Sequence, residues 1–235
     1  MLRRERRLVP AAAGFLALAL VLALQPNPLR AQSDETARVE NSLQVLKDIL
    51  NLPEKGMPQW LLTKAEGLAI IPGVVKAAYV VGGEYGKGVV MIRRKGGRWS
   101  EPVFIKLTGG SVGWQIGIQR ADIVLVFKNR VSVENIAKGK FTLGADAAVA
   151  AGPLGRNAQA STDLELKAEI YSYSRSKGLF AGISISGASL SIDHKADEAF
   201  YGSGGVRVRR IFQGRGLKVP AAAKTLRDFL NAHIR

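Results

Sequence analysis

Apolar and polar positions change their period twice along this chain. Over residues 34–52, Val39, Leu43, Leu46 and Leu50 fall at i, i+4, i+7 and i+11, Ile49 widens the stripe, and Glu40, Asn41, Gln44, Lys47 and Asp48 take the other face, a pattern that predicts an amphipathic helix. Pro53, Gly56 and Pro58 break it, and Pro58 is placed to open a short helix through Trp60, Leu61, Leu62 and Ala65. From Gly67 the pattern turns to short apolar or β-branched runs at 67–71, 74–81, 88–94, 102–107, 112–118 and 123–128. Gly96-Gly97 between two of these runs predicts a hairpin, and the glycine-rich stretch 82–88 reads as a turn. A helical turn or two is expected over 133–138, then strands over 141–149, 164–173 and 179–192. Leu164, Leu166, Ala168 and Ile170 alternate there with charged or polar residues. The chain closes on a second amphipathic helix carrying Leu226, Phe229, Leu230 and Ile234 on one face.

Many of the 26 glycines fall within or between the strand runs. Glycine inside a strand marks a bulge, a bend or a close backbone approach, and many bends in one antiparallel sheet produce curvature or closure. The expected fold is therefore α+β, mostly antiparallel β, with a strongly curved or barrel-like sheet flanked by N- and C-terminal helices. The stripe of the first helix must be covered, and its acidic polar face points to packing on the β body or on a partner protein.

The start of the chain sets an expected compartment. Arg3, Arg4, Arg6 and Arg7 precede an apolar run over 11–24, followed by Pro26, Pro28 and Ala31. This reads as a secretory signal over 1–31, with 32–56 as helix and linker and 57–235 as one β-rich domain. The apolar run is shorter than the roughly 20 residues of a spanning helix, though an uncleaved anchor stays open as the alternative. Export to the periplasm, the cell envelope or the medium is the expected localisation. The absence of cysteine removes disulfides, thiol nucleophiles and thiolate metal sites. A formal net charge of +15 favours anionic partners, and no nucleic-acid-binding motif accompanies it, so nucleic acid is not expected among them.

Catalytic signatures are missing where they would be looked for. The stretch 82–88 lacks the spacing and the hydroxyl of a phosphate-binding loop, and 182–187 is not a nucleophile elbow. The two histidines, His194 and His233, lie far apart; His194 is expected in a solvated loop, and His233 suits the last turn of a helix. Glu165 and Glu169, four residues apart on a strand, stand roughly 13 Å from each other, too far for an acid pair. No catalytic residue, metal site or cofactor is expected.

One ordered set of stretches is more specific. It comprises Trp60-Leu61-Leu62 with Ala65, Gly67-Leu68-Ala69-Ile70-Ile71-Pro72-Gly73, Gly82-Gly83-Glu84-Tyr85-Gly86-Lys87-Gly88 and Gly110-Ser111-Val112-Gly113-Trp114. Farther on come Gly139-Lys140-Phe141-Thr142-Leu143-Gly144, Ala150-Ala151-Gly152-Pro153-Leu154-Gly155, Ile170-Tyr171-Ser172-Tyr173-Ser174-Arg175 and Tyr201-Gly202. In this order they resemble the SYLF domain family, over residues 57–202, and an exported, bacterial-type member of it. The resemblance implies binding of phosphoinositide or other anionic membrane lipid, actin binding in fungal members, and no catalysis. In the eukaryotic members a basic N-terminal helix contributes to membrane contact, whereas here the 34–52 helix is not basic, so the lipid-binding residues are sought in the body. The candidates are Arg93, Arg94, Lys95 and Arg98 at the expected hairpin, with Arg175 and Lys177; a third basic group is Arg207, Arg209, Arg210, Arg215 and Lys218. A structural or protein-interaction module, forming homo-oligomers or binding another protein, is the alternative function. The export reading predicts that the mature protein starts at Gln32 or a close neighbour, which intact-mass analysis of the extracytoplasmic form will show; a full-length mass in the membrane fraction would support the anchor.

Overall fold

The computed structural model describes residues 28–52, 56–78, 82–111, 117–155, 168–176, 179–183, 185–202 and 205–234. In chain order these hold α1 (Pro28–Leu50), α2 (Gln59–Thr63), β1 (Gly67–Ala78), β2 (Gly82–Ile92), β3 (Val103–Ser111), β4 (Gly117–Phe127) and α3 (Arg130–Ile136). They continue with β5 (Phe141–Thr142), β6 (Val149–Ala151), β7 (Ile170–Ser176), β8 (Leu179–Gly182), β9 (Ser189–Ile192), α4 (His194–Tyr201), α5 (Val208–Gln213) and α6 (Ala221–His233). The strands form a single curled half-barrel in the order β5-β9-β3-β2-β1-β4-β7-β6, with β8 beside β7. All pairings among these strands are antiparallel except β6 with β7. The α+β, mostly antiparallel and strongly curved fold with helices at both ends is the one expected.

The curl begins in β1. The runs expected as two strands at 67–71 and 74–81 form one as far as Ala78, residues 79–81 lying outside the described ones. It is interrupted by a bulge at Pro72-Gly73 where the register to both neighbours slips by one residue. Gly73 sits at φ 59°, in the left-handed region that glycine enters freely, and its N–H donates to Asp122 at 2.9 Å. Opposite the bulge, the stretch 82–88 is not a turn but the first half of β2. Its glycines serve close approach: a Cβ at position 88 would lie 2.1 Å from the Ile70 carbonyl oxygen, and one at 86 would lie 2.7 Å from a Val74 methyl.

Other boundaries move for local reasons. The run 141–149 is cut by a turn in which Thr142 N–H donates to the Asp146 carboxylate at 2.6 Å and Gly144 takes φ 86°. The strand expected over 179–192 is likewise two, β8 and β9. Residues 112–116 and 164–167 of expected strands lie outside the described residues, and β7 runs on to Ser176. Asp193-His194 is not a loop: Asp193 occupies the N-cap position and exposed His194 opens α4. Helix α4 is too short to show its period against the glycine-rich sequence around it, and α5, a second helix outside the sequence expectation, buries Val208, Ile211 and Phe212. Pro58 precedes α2 as its N-cap instead of opening it.

Helix α1 starts at Pro28, upstream of the expected 34, and packs on α4, α6, β1 and β2. Its covered face is Glu35, Val39, Ser42, Val45, Leu46 and Ile49, while Leu43 and Leu50 are half-buried, so the stripe is rotated from the one expected. Ser42 is tolerated there because its hydroxyl donates to the Arg38 carbonyl at 2.8 Å. Two ionic contacts fix the helix. Arg38 pairs with Glu35 at 2.7 Å, lies 3.7 Å from Asp193 and stacks over Phe104. Arg175 of β7 donates to Asp48 and, at 3.0 Å, to Asp122. Beneath α4, fully buried Asp197 accepts the Phe104 N–H at 2.9 Å, and its second oxygen has no hydrogen-bond partner among the described residues. Burial pushes this carboxyl up to about 8, opposed by that hydrogen bond and helped by Asp193 and Glu35.

Two predictions come from this packing. Leu46, 1% exposed, is a core leucine, so Leu46→Ala should cost about 2–5 kcal/mol in thermal or denaturant unfolding. Asp197 holds its proton in the folded state up to about pH 8 but loses it near 4 when unfolded, so stability should fall as pH rises through that window. Melting curves from pH 5 to pH 9, with Asp197→Asn, which keeps a carbonyl for the Phe104 N–H, should show a flatter profile for the variant.

Candidate functional site

The expected hairpin is present and is held rigidly. Gly96 and Gly97 take φ 96° and 82°, which lets the chain reverse between Arg93 and Trp99, the bridged pair that closes it. Arg94 N–H donates to Arg98 O at 2.8 Å, and Gly97 N–H to Arg94 O at 3.0 Å. Behind the turn, Trp99 is fully buried. Its backbone N–H donates to the Asn231 side chain at 2.8 Å and its indole N–H to Ile234 O at 3.4 Å, so α6 forms the platform on which the hairpin rests. Between them lies a cleft of about 420 Å³ lined by Arg93, Gly96, Gly97, Arg98, Asn231 and Ile234.

The four cations of this hairpin have different positions. Arg93 reaches back to the end of α2, donating from Nε to Ala65 O at 2.9 Å, from Nη2 to Leu62 O at 3.1 Å and from Nη1 to Gly97 O at 3.2 Å, with its guanidinium over the Trp99 ring. It adds a second donor to Leu62 O, which also accepts the Ala65 N–H, and binds Ala65 O just past the helix end, which is a holding role. Arg94 stands 3.8 Å from Glu101, and a Cβ at Gly214 would lie 2.7 Å from its Nη2. Burial lowers the pKa of both guanidinium groups, against the pull of Glu66 on Arg93 and of Glu101 on Arg94. Lys95 and Arg98 are exposed at the tip.

The contact of Arg94 with Gly214 joins two of the three basic groups seen in the sequence. Gly214 caps α5 at φ 63°, so Arg210 and Arg215 flank the residue against which the hairpin leans. Arg207, Arg209, Arg210, Arg215 and Lys218 are all exposed. Arg227 of α6 completes the surface by donating to Glu101, the buried carboxylate it shares with Arg94. Arg227 and Asn231 were not among the sequence candidates, because only the docking of α6 on the hairpin brings them there. The α5 helix was readable in principle from Val208, Ile211 and Phe212 followed by Gly214.

Arg175 is not part of this surface. It is half-buried one residue from the end of β7, where Asp48 and Asp122 neutralise it and it ties α1 to the sheet. Lys177 lies outside the described residues. Among the described residues no group of three or more His, Asp or Glu side chains is arranged to hold a metal ion, and no helix is long and apolar enough to cross a membrane.

Comparison with known proteins adds sequence relatives to this geometry. Residues 108–233 match the family model described as "Ysc84: Las17-binding protein actin regulator". The SH3 domain-containing YSC84-like protein 1 of Xenopus laevis is 36% identical over 208 residues, covering 88% of this chain and 61% of that protein. Protein YSC84 of Saccharomyces cerevisiae is 34% identical over 210 residues, 88% of this chain and 44% of its own length. The human SH3 domain-containing YSC84-like protein 1 is 36% identical over 177 residues, 75% of this chain and 51% of that protein. This chain therefore spans about half the length of the curated relatives it matches.

Proposed function

The chain belongs to the Ysc84 family, the SYLF family of the sequence motifs, and from that premise we propose that it is a non-catalytic binding module that docks on anionic membrane lipid through its hairpin end. The observation that carries this reading is the joining of Lys95 and Arg98 to the α5 cations by the Arg94–Gly214 contact. Separate basic loops are ordinary wet surface. A set of exposed cations fixed on one rigid platform acts together on a negative surface, at about 1 kcal/mol for each Lys or Arg. Buried Glu101 is already engaged with Arg227 and Arg94, so it does not neutralise the tip. With the Arg-rich start of the chain, the reading places this docking outside the cytoplasm, at the periplasmic or outer face of an envelope membrane or on a secreted protein's target membrane.

A second reading, a protein-interaction module, is favoured by one specific observation. The matched family description names a Las17-binding actin regulator, and the same basic surface suits an acidic protein face as well as a bilayer.

Vesicle binding distinguishes the two. The protein is expected to bind phosphatidylcholine vesicles increasingly as phosphatidylglycerol is added, and less as salt rises, since exposed charges are screened within about 8 Å at physiological ionic strength. Changing Lys95 and Arg98 together to Glu should remove at least about 2 kcal/mol, some 30-fold in partition coefficient, with an unchanged melting temperature. Equal binding to neutral and anionic vesicles, or none, would overturn the lipid reading and leave the protein partner.

A further inference from the structure

The opposite end of the sheet carries a different surface. β1 pairs Gly67 with Phe127 beside the hairpin and Ala78 with Gly117 at the far end. Nine positions of β4 separate Phe127 from Ile118, roughly 30 Å of strand. Here a groove of about 660 Å³ runs between β4, β7 and β8, lined chiefly by Ile118, Arg120, Ser174, Ser176, Leu179 and Ile183. That volume is within the range of about 300–1,000 Å³ usual for small-ligand clefts.

Three features define what would fill it. Ile118 and Leu179 are 76% and 77% exposed, two large aliphatic side chains lining one groove at the end of a sheet whose core is complete without them. The walls are fixed: Tyr173 stacks on Phe180 with ring centroids 5.2 Å apart, Ile183 N–H donates to Ser172 O at 3.0 Å, and the Ser176 hydroxyl donates to Arg120 O at 3.1 Å. The lining residues include Arg120 and no carboxylate. Asp122, two residues along β4, is held by Arg175 and by the Gly73 N–H, and Arg120 has no ion pair among the described residues.

We propose that this groove binds the acyl chain of an anionic amphiphile, a fatty acid or a lysophospholipid, with the alkyl chain against Ile118, Leu179 and Ile183 and the acidic head group at Arg120. An apolar trough beside Arg120, a cation with no ion pair among the described residues, matches a molecule that is apolar along its length and negative at one end. A second copy of this chain is a poorer match: a two-fold contact through this groove sets the same surface against itself, and Arg120 then meets its own copy with no acid in the lining to separate them. This site stands apart from the hairpin surface, and the two readings can fail independently.

The test uses the full chain and cis-parinaric acid, a fatty acid that fluoresces in an apolar site, below the concentration at which it forms micelles. Saturable fluorescence enhancement is expected, displaced by oleate or by a lysophosphatidylglycerol. Leu179→Asp should weaken it at least tenfold, and Arg120→Glu should weaken the acid but not its methyl ester. Changing Lys95 and Arg98 to Glu should leave it unchanged while reducing vesicle binding. Because the chain has no cysteine, Leu179→Cys also takes one environment-sensitive label, whose emission should shift to the blue on adding oleate to the monomer. No saturable binding, or binding indifferent to both groove variants with unaltered melting temperatures, would overturn the proposal. A label already in a dry site in a protein of dimeric mass would assign the groove to a second copy, and a shift only with vesicles would assign it to a bilayer. Either result would also overturn the proposal.

Discussion

The backbone of β2 passes so near the bulge of β1 that no side chain fits between them at position 88, where the Ile70 carbonyl oxygen would stand 2.1 Å from a Cβ. That contact allows the sheet to curl at its centre, with β1 and β2 its middle strands. Helix α1 packs on the same two strands with Val39, Leu46 and Ile49 fully covered. Asp122, beside the bulge, meets both Gly73 and Arg175, and Arg175 in turn holds Asp48 of α1. A single irregularity in one strand thus links the curvature of the sheet to the seat of the N-terminal helix.

The charges of this basic chain fall into two populations. Arg38, Arg93 and Arg175 are spent on helix ends, carbonyls and carboxylates inside the fold, where they secure geometry. Lys95, Arg98 and the cations around α5 stay in solvent at one end. A long-range field follows from the total charge, but recognition of a surface needs cations that are free and held together. The apolar groove at the other end follows a different logic, in which aliphatic side chains are left outside the core and one cation stands beside them. The two proposed binding surfaces stand at opposite ends of one sheet, in a chain that matches the family model described as "Ysc84: Las17-binding protein actin regulator" and spans about half of each longer relative.

The sequence by itself determined the helix at each end, the antiparallel strands between them, the hairpin at Gly96-Gly97 and the family. These rest on local signals: a period of 3.6 in α1 and α6, β-branched runs, and glycines whose positive φ is a property of the residue. Only the tertiary structure decided that 82–88 is strand, because Gly86 and Gly88 answer to the atoms of Ile70, Ile71 and Val74 from a neighbouring strand and not to a turn of their own. It likewise decided that Arg93 and Arg175 hold the fold while Lys95 and Arg98 face solvent, and that Arg94 joins the α5 cations across more than a hundred residues of chain. Charge can be counted along a sequence, but whether a guanidinium meets a carbonyl, a carboxylate or water depends on what the fold sets beside it.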